Sequence, residues 1–124
     1  YLYPKLAAKA IKNNPDKILE KLKEKPKIKD SANKFAFFDW ELQILITKLS
    51  QNHIALMIFN DLKEVYFLNT TLYFQIAENK KATLKYYNNL IDAIKNHSKN
   101  INNIVLETMQ ESIELWLKLQ NNKT

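Results

Sequence analysis

The chain has 124 residues, 46% of them hydrophobic, and a formal net charge of +6 at pH 7. This length suffices for one domain with an ordinary hydrophobic core. It contains no cysteine, which excludes disulfides, thiol catalysis and Cys-ligated zinc. It also contains no glycine, which argues against phosphate-binding loops, dinucleotide-binding motifs and nucleophile elbows, because those loops need positive φ or a close backbone approach. A helical bundle, in which Asn can replace Gly at helix ends, is compatible with this composition.

The basic charge is concentrated at the N-terminal end. Residues 1–34 contain ten Lys and four acidic residues, a net charge of +6, whereas residues 35–124 contain nine of each. All three prolines, Pro4, Pro15 and Pro26, lie in the same segment. We therefore divide the chain into a basic N-terminal arm, residues 1–30, and a helical body, residues 31–124. The chain has 19 Lys and 15 Asn but no Arg, which is typical of an AT-rich genome. Because codon bias favours Lys and Asn in such a genome, motifs built on these residues are weaker evidence of function.

The arm is predicted to form two short helices. The spacing of apolar residues indicates a helix over residues 5–13. A second helix begins at Pro15, since proline suits a first helical turn, and ends at Lys25 before Pro26. Nine lysines alternate with aliphatic residues along these helices, and we predict that they contact an acidic partner: Lys5, Lys9, Lys12, Lys17, Lys21, Lys23, Lys25, Lys27 and Lys29.

The most apolar stretch, Phe35 to Phe59, is predicted to be the central helix of the bundle. Asp30 or Ser31 is a suitable N-cap for it. Because this helix is apolar on nearly every side, other elements must pack on two of its faces. Asp39 and several other polar residues interrupt the run, which argues against a membrane span and indicates a buried core helix.

Residues 54–78 fit two structures. They are rich in β-forming residues, which allows a hairpin around Asn69. A helical face is better populated, because apolar residues occupy positions 55, 58, 59, 62, 65, 66, 72, 73 and 76 and polar residues occupy the complementary positions. We predict a helix that is interrupted near Asn69.

The remaining residues are predicted to form two amphipathic helices, Lys80 to His97 and Ile101 to Leu119, with a polar turn at Ser98 to Asn100. Loops this short place consecutive helices side by side in opposite directions. The sequence therefore predicts an all-α fold, an antiparallel helical bundle of four to five helices with a short basic, proline-punctuated N-terminal arm.

No residue pattern indicates catalysis. His53 and His97 are the only histidines, and neither belongs to a zinc-binding motif. Glu107, Glu111 and Glu114 share one helical face, but no His ligands accompany them, so we interpret this face as solvated. No Ser has the base and the orienting acid that a nucleophile requires. We predict that the chain is not an enzyme and has no catalytic residue, metal or cofactor.

Pairs of adjacent aromatic residues indicate an interaction surface. Adjacent residues on a helix point about 100° apart, so one member of each pair is expected to lie off the core. Exposed Tyr and Phe residues are favoured at protein interfaces. We therefore predict a non-catalytic protein-interaction module, a subunit, adaptor or scaffold, whose lysines contact an acidic face of another protein. The aromatic residues predicted to dock are Tyr66, Tyr73, Phe74, Tyr86 and Tyr87.

Two other functions stay open. The lysines of the arm can contact nucleic-acid phosphates or an anionic membrane, although the absence of Arg argues against sequence-specific reading of bases. A ligand-sensing bundle would have an apolar pocket lined by Trp40, Tyr66 or Trp116. The sequence does not determine the cellular compartment or the oligomeric state.

Overall fold

The computed structural model describes residues 2–96, 101–108 and 110. Every regular element in these ranges is a helix, which confirms the predicted all-α fold. The described residues form seven helical segments, more than the four to five predicted. They are α1 (Leu2–Asn13), α2 (Pro15–Leu22), α3 (Ala32–Leu49), α4 (His53–Asp61), α5 (Lys63–Tyr73), α6 (Ala77–Lys95) and the helical segment 101–108.

Several sequence predictions lie outside the described residues. They are the polar turn at Ser98 to Asn100, most of the last helix beyond residue 108, and the positions of His97, Glu111, Glu114 and Trp116. The helical segment 101–108 agrees with the first half of the predicted helix from Ile101 to Leu119.

The first two helices are separated at Asn14. Its side-chain oxygen accepts a hydrogen bond from the backbone N–H of Lys17 at 3.2 Å and caps α2, whose first residue is Pro15. Both helices contribute buried side chains to the core: Leu6, Ala7, Ala10 and Ile11 from α1, and Ile18 and Leu22 from α2. Residues 1–30 thus supply part of the same core as α3, and their separation as an arm stays a prediction.

The predicted central helix, Phe35 to Phe59, is wrong in its extent. Ser31 caps α3 by accepting a hydrogen bond from the backbone of residue 34, as predicted, but α3 ends at Leu49. Gln51 then takes a left-handed conformation with φ of 62°, and Asn52 caps α4 by accepting from the Ala55 N–H at 2.9 Å. The chain therefore turns between α3 and α4. The sequence did not reveal this turn, because the apolar pattern continues across it.

Residues 53–73 are helical, which confirms the helix prediction for this part of the ambiguous segment. The break falls at Leu62 rather than near Asn69. The Leu62 N–H donates to Ile58 O at the end of α4, and the Tyr66 N–H donates to Leu62 O at the start of α5. Both helices pack on α3.

α3 lies at the centre of the bundle, with α1, α2, α4 and α5 packed around it. The main core contains Leu42 and Ile46 of α3 together with Tyr87 and Leu90 of α6. A smaller core forms where Phe35 meets Phe74 at the end of α5, with a ring separation of 5.1 Å. Since α6 follows directly after this second core, its first turns are held against the start of α3.

Candidate functional site

Asp39 is a half-buried acidic residue of α3 that lies between α5 and α6. Its neighbours in the chain, Phe38 and Trp40, are 5% and 6% exposed. Its Oδ1 accepts a hydrogen bond from the Tyr87 hydroxyl at 2.6 Å, and its Oδ2 accepts one from the Tyr66 hydroxyl. A single carboxyl group on α3 thus joins α6 to α5. We call Asp39, Tyr66 and Tyr87 the polar cluster.

Burial dominates the electrostatics of the polar cluster. Removal from water raises the pKa of the Asp39 carboxyl group above its ordinary value of 3.8, and hydrogen bonds from Tyr66, Tyr87 and Gln43 partly oppose this rise. Burial and the nearby Asp39 charge together raise the pKa of the Tyr87 hydroxyl. Among the residues that the structure describes, the partners of Asp39 are neutral. Its charge is therefore stabilised by hydrogen bonds alone.

Aromatic rings surround this cluster and keep it in a medium of low polarity. The rings of Phe38 and Tyr87 lie 5.3 Å apart, and those of Trp40 and Tyr66 lie 5.2 Å apart. Tyr86 adds a further ring at 5.7 Å from Tyr87. In such surroundings hydrogen bonds are stronger than in water, and an unpaired polar group is costly.

A cleft lies between α6 and the helical segment 101–108. It contains a cavity of about 90 Å³ that opens beside a groove of about 540 Å³. Tyr86 lines the cavity and is only 7% exposed, and its hydroxyl finds no hydrogen-bond partner within residues 2–96 and 101–108. Burial also raises the pKa of this hydroxyl, so it remains a neutral donor. A ligand that entered the cavity would meet an available hydrogen-bond donor.

Tyr86 also connects the cavity to the polar cluster. Its ring packs on that of Tyr87, the next residue of α6, whose hydroxyl is bonded to Asp39. A displacement of α6 at the cavity would therefore change the hydrogen bonds of Asp39 and, through Tyr66, the position of α5. This arrangement can transmit a structural change from α6 to α5.

The structure corrects the predicted exposure of the paired aromatic residues. Phe74, Tyr86 and Tyr87 are buried, with 2%, 7% and 0% of their surfaces exposed, and Tyr66 and Tyr73 are half-buried. The expectation that one member of each pair lies off the core is wrong for Tyr86 and Tyr87, because α3 and the segment 101–108 cover α6 from two sides. Their docking role stays an untested prediction.

The lysines predicted to contact a partner lie mostly on the surface. Lys21 and Lys25 are half-buried, and the other seven are exposed. Lys21 forms ion pairs with Glu24 at 3.3 Å and Glu41 at 3.2 Å, and its Nζ lies 5.4 Å from the centre of the Phe38 ring. This lysine therefore connects α2 to α3, while the exposed lysines lie on α1, on α2 and in the segment that follows α2.

Sequence reasoning missed Asp39 as a site residue. The signal was present, since an acid in the middle of the most apolar stretch must either face water or find hydrogen-bond donors inside. Of the residues suggested for a ligand pocket, Trp40 and Tyr66 do lie together at the polar cluster, and Trp116 is outside the described residues. Tyr66 belongs to the polar cluster because its hydroxyl donates to Asp39, which the aromatic pattern did not predict.

Two further features of the described part of the chain bear on function. Its helices are too short or too polar for any of them to cross a membrane. Its His, Asp and Glu side chains nowhere gather in a group of three that could hold a metal ion.

A helical bundle with a polar cluster inside it and a cavity beside that cluster has the organisation of a ligand-sensing domain. Comparison with known families gives the particular case. The chain belongs to the family described as the FadR C-terminal domain, whose model matches residues 3–123.

The chain is similar to several proteins named fatty acid metabolism regulator protein. The relative from Shewanella pealeana is 32% identical over 81 residues, which cover 65% of this chain and 34% of that protein. Those from Shewanella frigidimarina and Enterobacter sp. (strain 638) are 27% and 30% identical over 114 and 117 residues. These matches cover 90% and 91% of this chain and 47% and 48% of the two relatives. The chain thus spans no more than about half the length of these relatives.

Membership in a family of regulators confirms the prediction that this chain is not an enzyme. It supports the ligand-sensing alternative better than the protein-interaction module that the sequence first suggested. Contact with the acidic face of another protein stays a prediction.

Proposed function

We propose that this chain is the ligand-sensing domain of a regulator of fatty acid metabolism, and that its ligand carries a long acyl chain. The observation that supports this most is the buried Tyr86 side chain, which lines a cavity and whose hydroxyl lacks a partner among the described residues. The name shared by the relatives supplies the class of metabolite.

The size of the cavity determines how such a ligand would bind. A cavity of about 90 Å³ accommodates a few water molecules, and a long acyl chain needs more space. The adjoining groove of about 540 Å³ is open to solvent, so burial of an acyl chain requires α6 and the segment 101–108 to move apart. Burial of about 12 methylene groups contributes on the order of 10 kcal/mol, which exceeds a cost of a few kcal/mol for separating two packed helices.

The polar cluster converts this movement into a signal. Tyr87 is fixed to Asp39 by a hydrogen bond of 2.6 Å, so α6 cannot shift without lengthening that bond or carrying α3 with it. Because the other oxygen of the carboxyl group holds Tyr66, the change reaches α5 as well. Ligand binding at one side of the bundle is thereby coupled to helices on the other side.

Thermal unfolding of the chain with three probes tests the proposal. We expect palmitate, palmitoyl-coenzyme A or both to raise Tm, and coenzyme A alone to leave it unchanged. A probe present at 100 times its Kd stabilises the folded state by about 2.7 kcal/mol. The pattern over the three probes shows whether a free acid or a thioester is preferred. Failure of both acyl probes to change Tm would overturn the proposal.

Two variants locate the binding site. Ala82→Phe fills the cavity that Ala82 lines and should abolish the rise in Tm with ligand, while Ala8→Phe introduces the same side chain at a half-buried position of α1 and should retain it. Tyr86→Phe removes the hydroxyl without a partner and should reduce ligand affinity about tenfold at an unchanged Tm of the free chain. Equal ligand responses of the Ala82 and Ala8 variants would contradict this location.

The exposed lysines favour a second function, in which α1 contacts the phosphates of nucleic acid. Lys5, Lys9 and Lys12 are exposed on α1, in the segment that carries the whole excess of positive charge. We expect weak binding to duplex DNA that falls steeply with salt and is reduced in the triple Lys→Gln variant at these positions. A triple Lys→Gln variant at positions 81, 85 and 95, exposed on α6, is the matched control. Equal binding by both variants would exclude α1 as the contact.

A further inference from the structure

Most of the side chains that line the cavity between α6 and the segment 101–108 are polar. Lys85, Tyr86 and Asn89 line it from α6, and Ile104 and Glu107 line it from the facing segment. Residues three or four positions apart lie on the same side of a helix, so each helix contributes one face to the cavity. Polar groups from two helices therefore converge on one small space.

Two of these side chains can donate hydrogen bonds to a ligand. Tyr86 is 7% exposed, and its hydroxyl has no partner among the described residues. Lys85, the preceding residue, ends in an ammonium group that has three N–H donors and no acceptor. The ion pairs in the described part of the chain involve Lys21 and Lys34, so Lys85 has no acidic partner there. An acceptor with a negative charge would bind both groups at once.

The cavity has the size of a single carboxylate. Its volume is about 90 Å³, and a carboxylate fills roughly the space of two water molecules, each of which takes about 30 Å³ in the liquid. The phosphate groups of coenzyme A would have to lie in the adjoining groove, which is lined by Asp92 and Glu107. Several negative charges placed beside these two carboxylates would be repelled. The described lining therefore favours a small head group with one charge.

We propose that this cavity binds the carboxylate of a free fatty acid. Lys85 donates to one carboxylate oxygen and the Tyr86 hydroxyl donates to the other, while the acyl chain lies between α6 and the segment 101–108. The inference rests on the proposed function, which leaves the head group of the ligand open. Glu107 lines the same cavity, and its charge opposes binding of every anion. This repulsion is tolerated by one carboxylate that has two donors and grows with each further charge.

Titration with palmitate and with hexadecanol, which has an equally long chain and an uncharged head group, tests the proposal through the rise in Tm. Lys85→Gln should raise the Kd of palmitate about fivefold, the upper contribution of an exposed ion pair, and leave that of hexadecanol unchanged. Lys85→Arg keeps the charge and should retain palmitate binding. Lys81→Gln is the matched control, because Lys81 is also exposed on α6 and lines neither the cavity nor the groove. It should change the Kd of palmitate by less than about twofold, since salt screens distant charges.

Glu107→Gln gives a prediction of opposite sign. Removal of this charge should lower the Kd of palmitate about threefold, because a repulsion across the cavity is lost, and should leave that of hexadecanol unchanged. Lys85 and Glu107 are both exposed, so neither substitution disturbs the core. Opposite effects on one ligand cannot come from a general loss of stability. The Tm of each variant without ligand verifies that it folds.

The results separate this inference from the proposed function. If palmitate and hexadecanol bind equally well to the wild-type chain and to Lys85→Gln, an acyl-binding domain stands and the carboxylate site is overturned. Tighter binding of palmitoyl-coenzyme A than of palmitate to the wild-type chain would also overturn the site, because the thioester has no carboxylate at that end of the acyl chain. If none of the three long-chain compounds raises Tm, the inference and the proposed function both fall.

Discussion

Replacement of Asp39 tests whether the polar cluster is held by hydrogen bonds rather than by charge. Asp39→Ala leaves the buried hydroxyl of Tyr87 without its acceptor and removes one hydrogen bond of the half-buried Tyr66. An unsatisfied buried group costs about 1–3 kcal/mol and an ordinary hydrogen bond contributes about 1 kcal/mol, so the free energy of unfolding should fall by about 2–4 kcal/mol. That is a large part of the 5–15 kcal/mol that stabilises a typical domain.

Asp39→Asn should behave differently because it keeps the shape of the side chain. One tyrosine hydroxyl can still donate to the remaining carbonyl oxygen, and the other can accept from the new amide. The amide can also donate to Gln43 Oε1, which is buried without a partner among the described residues. Loss of one charged hydrogen bond is offset by loss of the buried charge, so the free energy of unfolding should change by less than about 1 kcal/mol at pH 7.

The pH dependence separates the two effects. The pKa of Asp39 is raised in the folded chain, so the folded state binds this proton more tightly than the unfolded state does. Stability contributed by Asp39 is therefore greatest below its ordinary pKa of 3.8 and falls as pH rises through the raised folded pKa. In Asp39→Asn this decrease should be absent, so the variant gains stability relative to wild type as pH rises.

Urea unfolding between about pH 4 and 8, followed by circular dichroism and Trp fluorescence, measures these differences. The difference between wild type and Asp39→Asn at each pH removes the contributions of other acidic residues. A loss of 3 kcal/mol or more in Asp39→Asn at pH 7, together with a difference that does not vary with pH, would refute the reasoning. It would mean that the Asp39 charge itself stabilises the fold.

Three other substitutions test the framework around the site. Phe35→Ala should lower the free energy of unfolding by about 3–5 kcal/mol, because Phe35 is fully buried against Phe74; a loss under 1 kcal/mol in urea unfolding would contradict this packing. Gln51→Gly should raise Tm, since glycine adopts the left-handed conformation at no steric cost, while Lys48→Gly within α3 should lower it; a fall in both would contradict the turn at Gln51. Ser31→Ala should cost about 1 kcal/mol through loss of the α3 cap, and an unchanged midpoint of unfolding would contradict that role.

Local signals predicted much of the fold. Pro15 and Asn14 mark the start of α2, and Ser31 marks the start of α3, because each residue satisfies or removes a free N–H group of a first helical turn. The helical structure of residues 53–73 was also predictable, since apolar residues recur along it with helical spacing. Which of them are buried was not, because Ile58, Leu62 and Val65 of that pattern are exposed. These features depend on residues close together in the chain.

The errors arose where distant elements decide the structure. The break after Leu49 has no glycine or proline to mark it, and its one visible signal, Asn52, fits the end of one helix as well as the start of the next. Burial of both Tyr86 and Tyr87 depends on two separate elements that cover α6. Asp39 finds its partners 27 and 48 residues away, so only the folded bundle reveals that its charge is satisfied.

The hydrogen bonds of Asp39 make the coupling between α6 and α5 testable. Tyr66 on α5 and Tyr87 on α6 both donate to Asp39 on α3. A ligand that displaces α6 would therefore act through Asp39 on α5. In Asp39→Ala, where this link is cut, the effect of ligand on α5 should be lost while ligand binding persists.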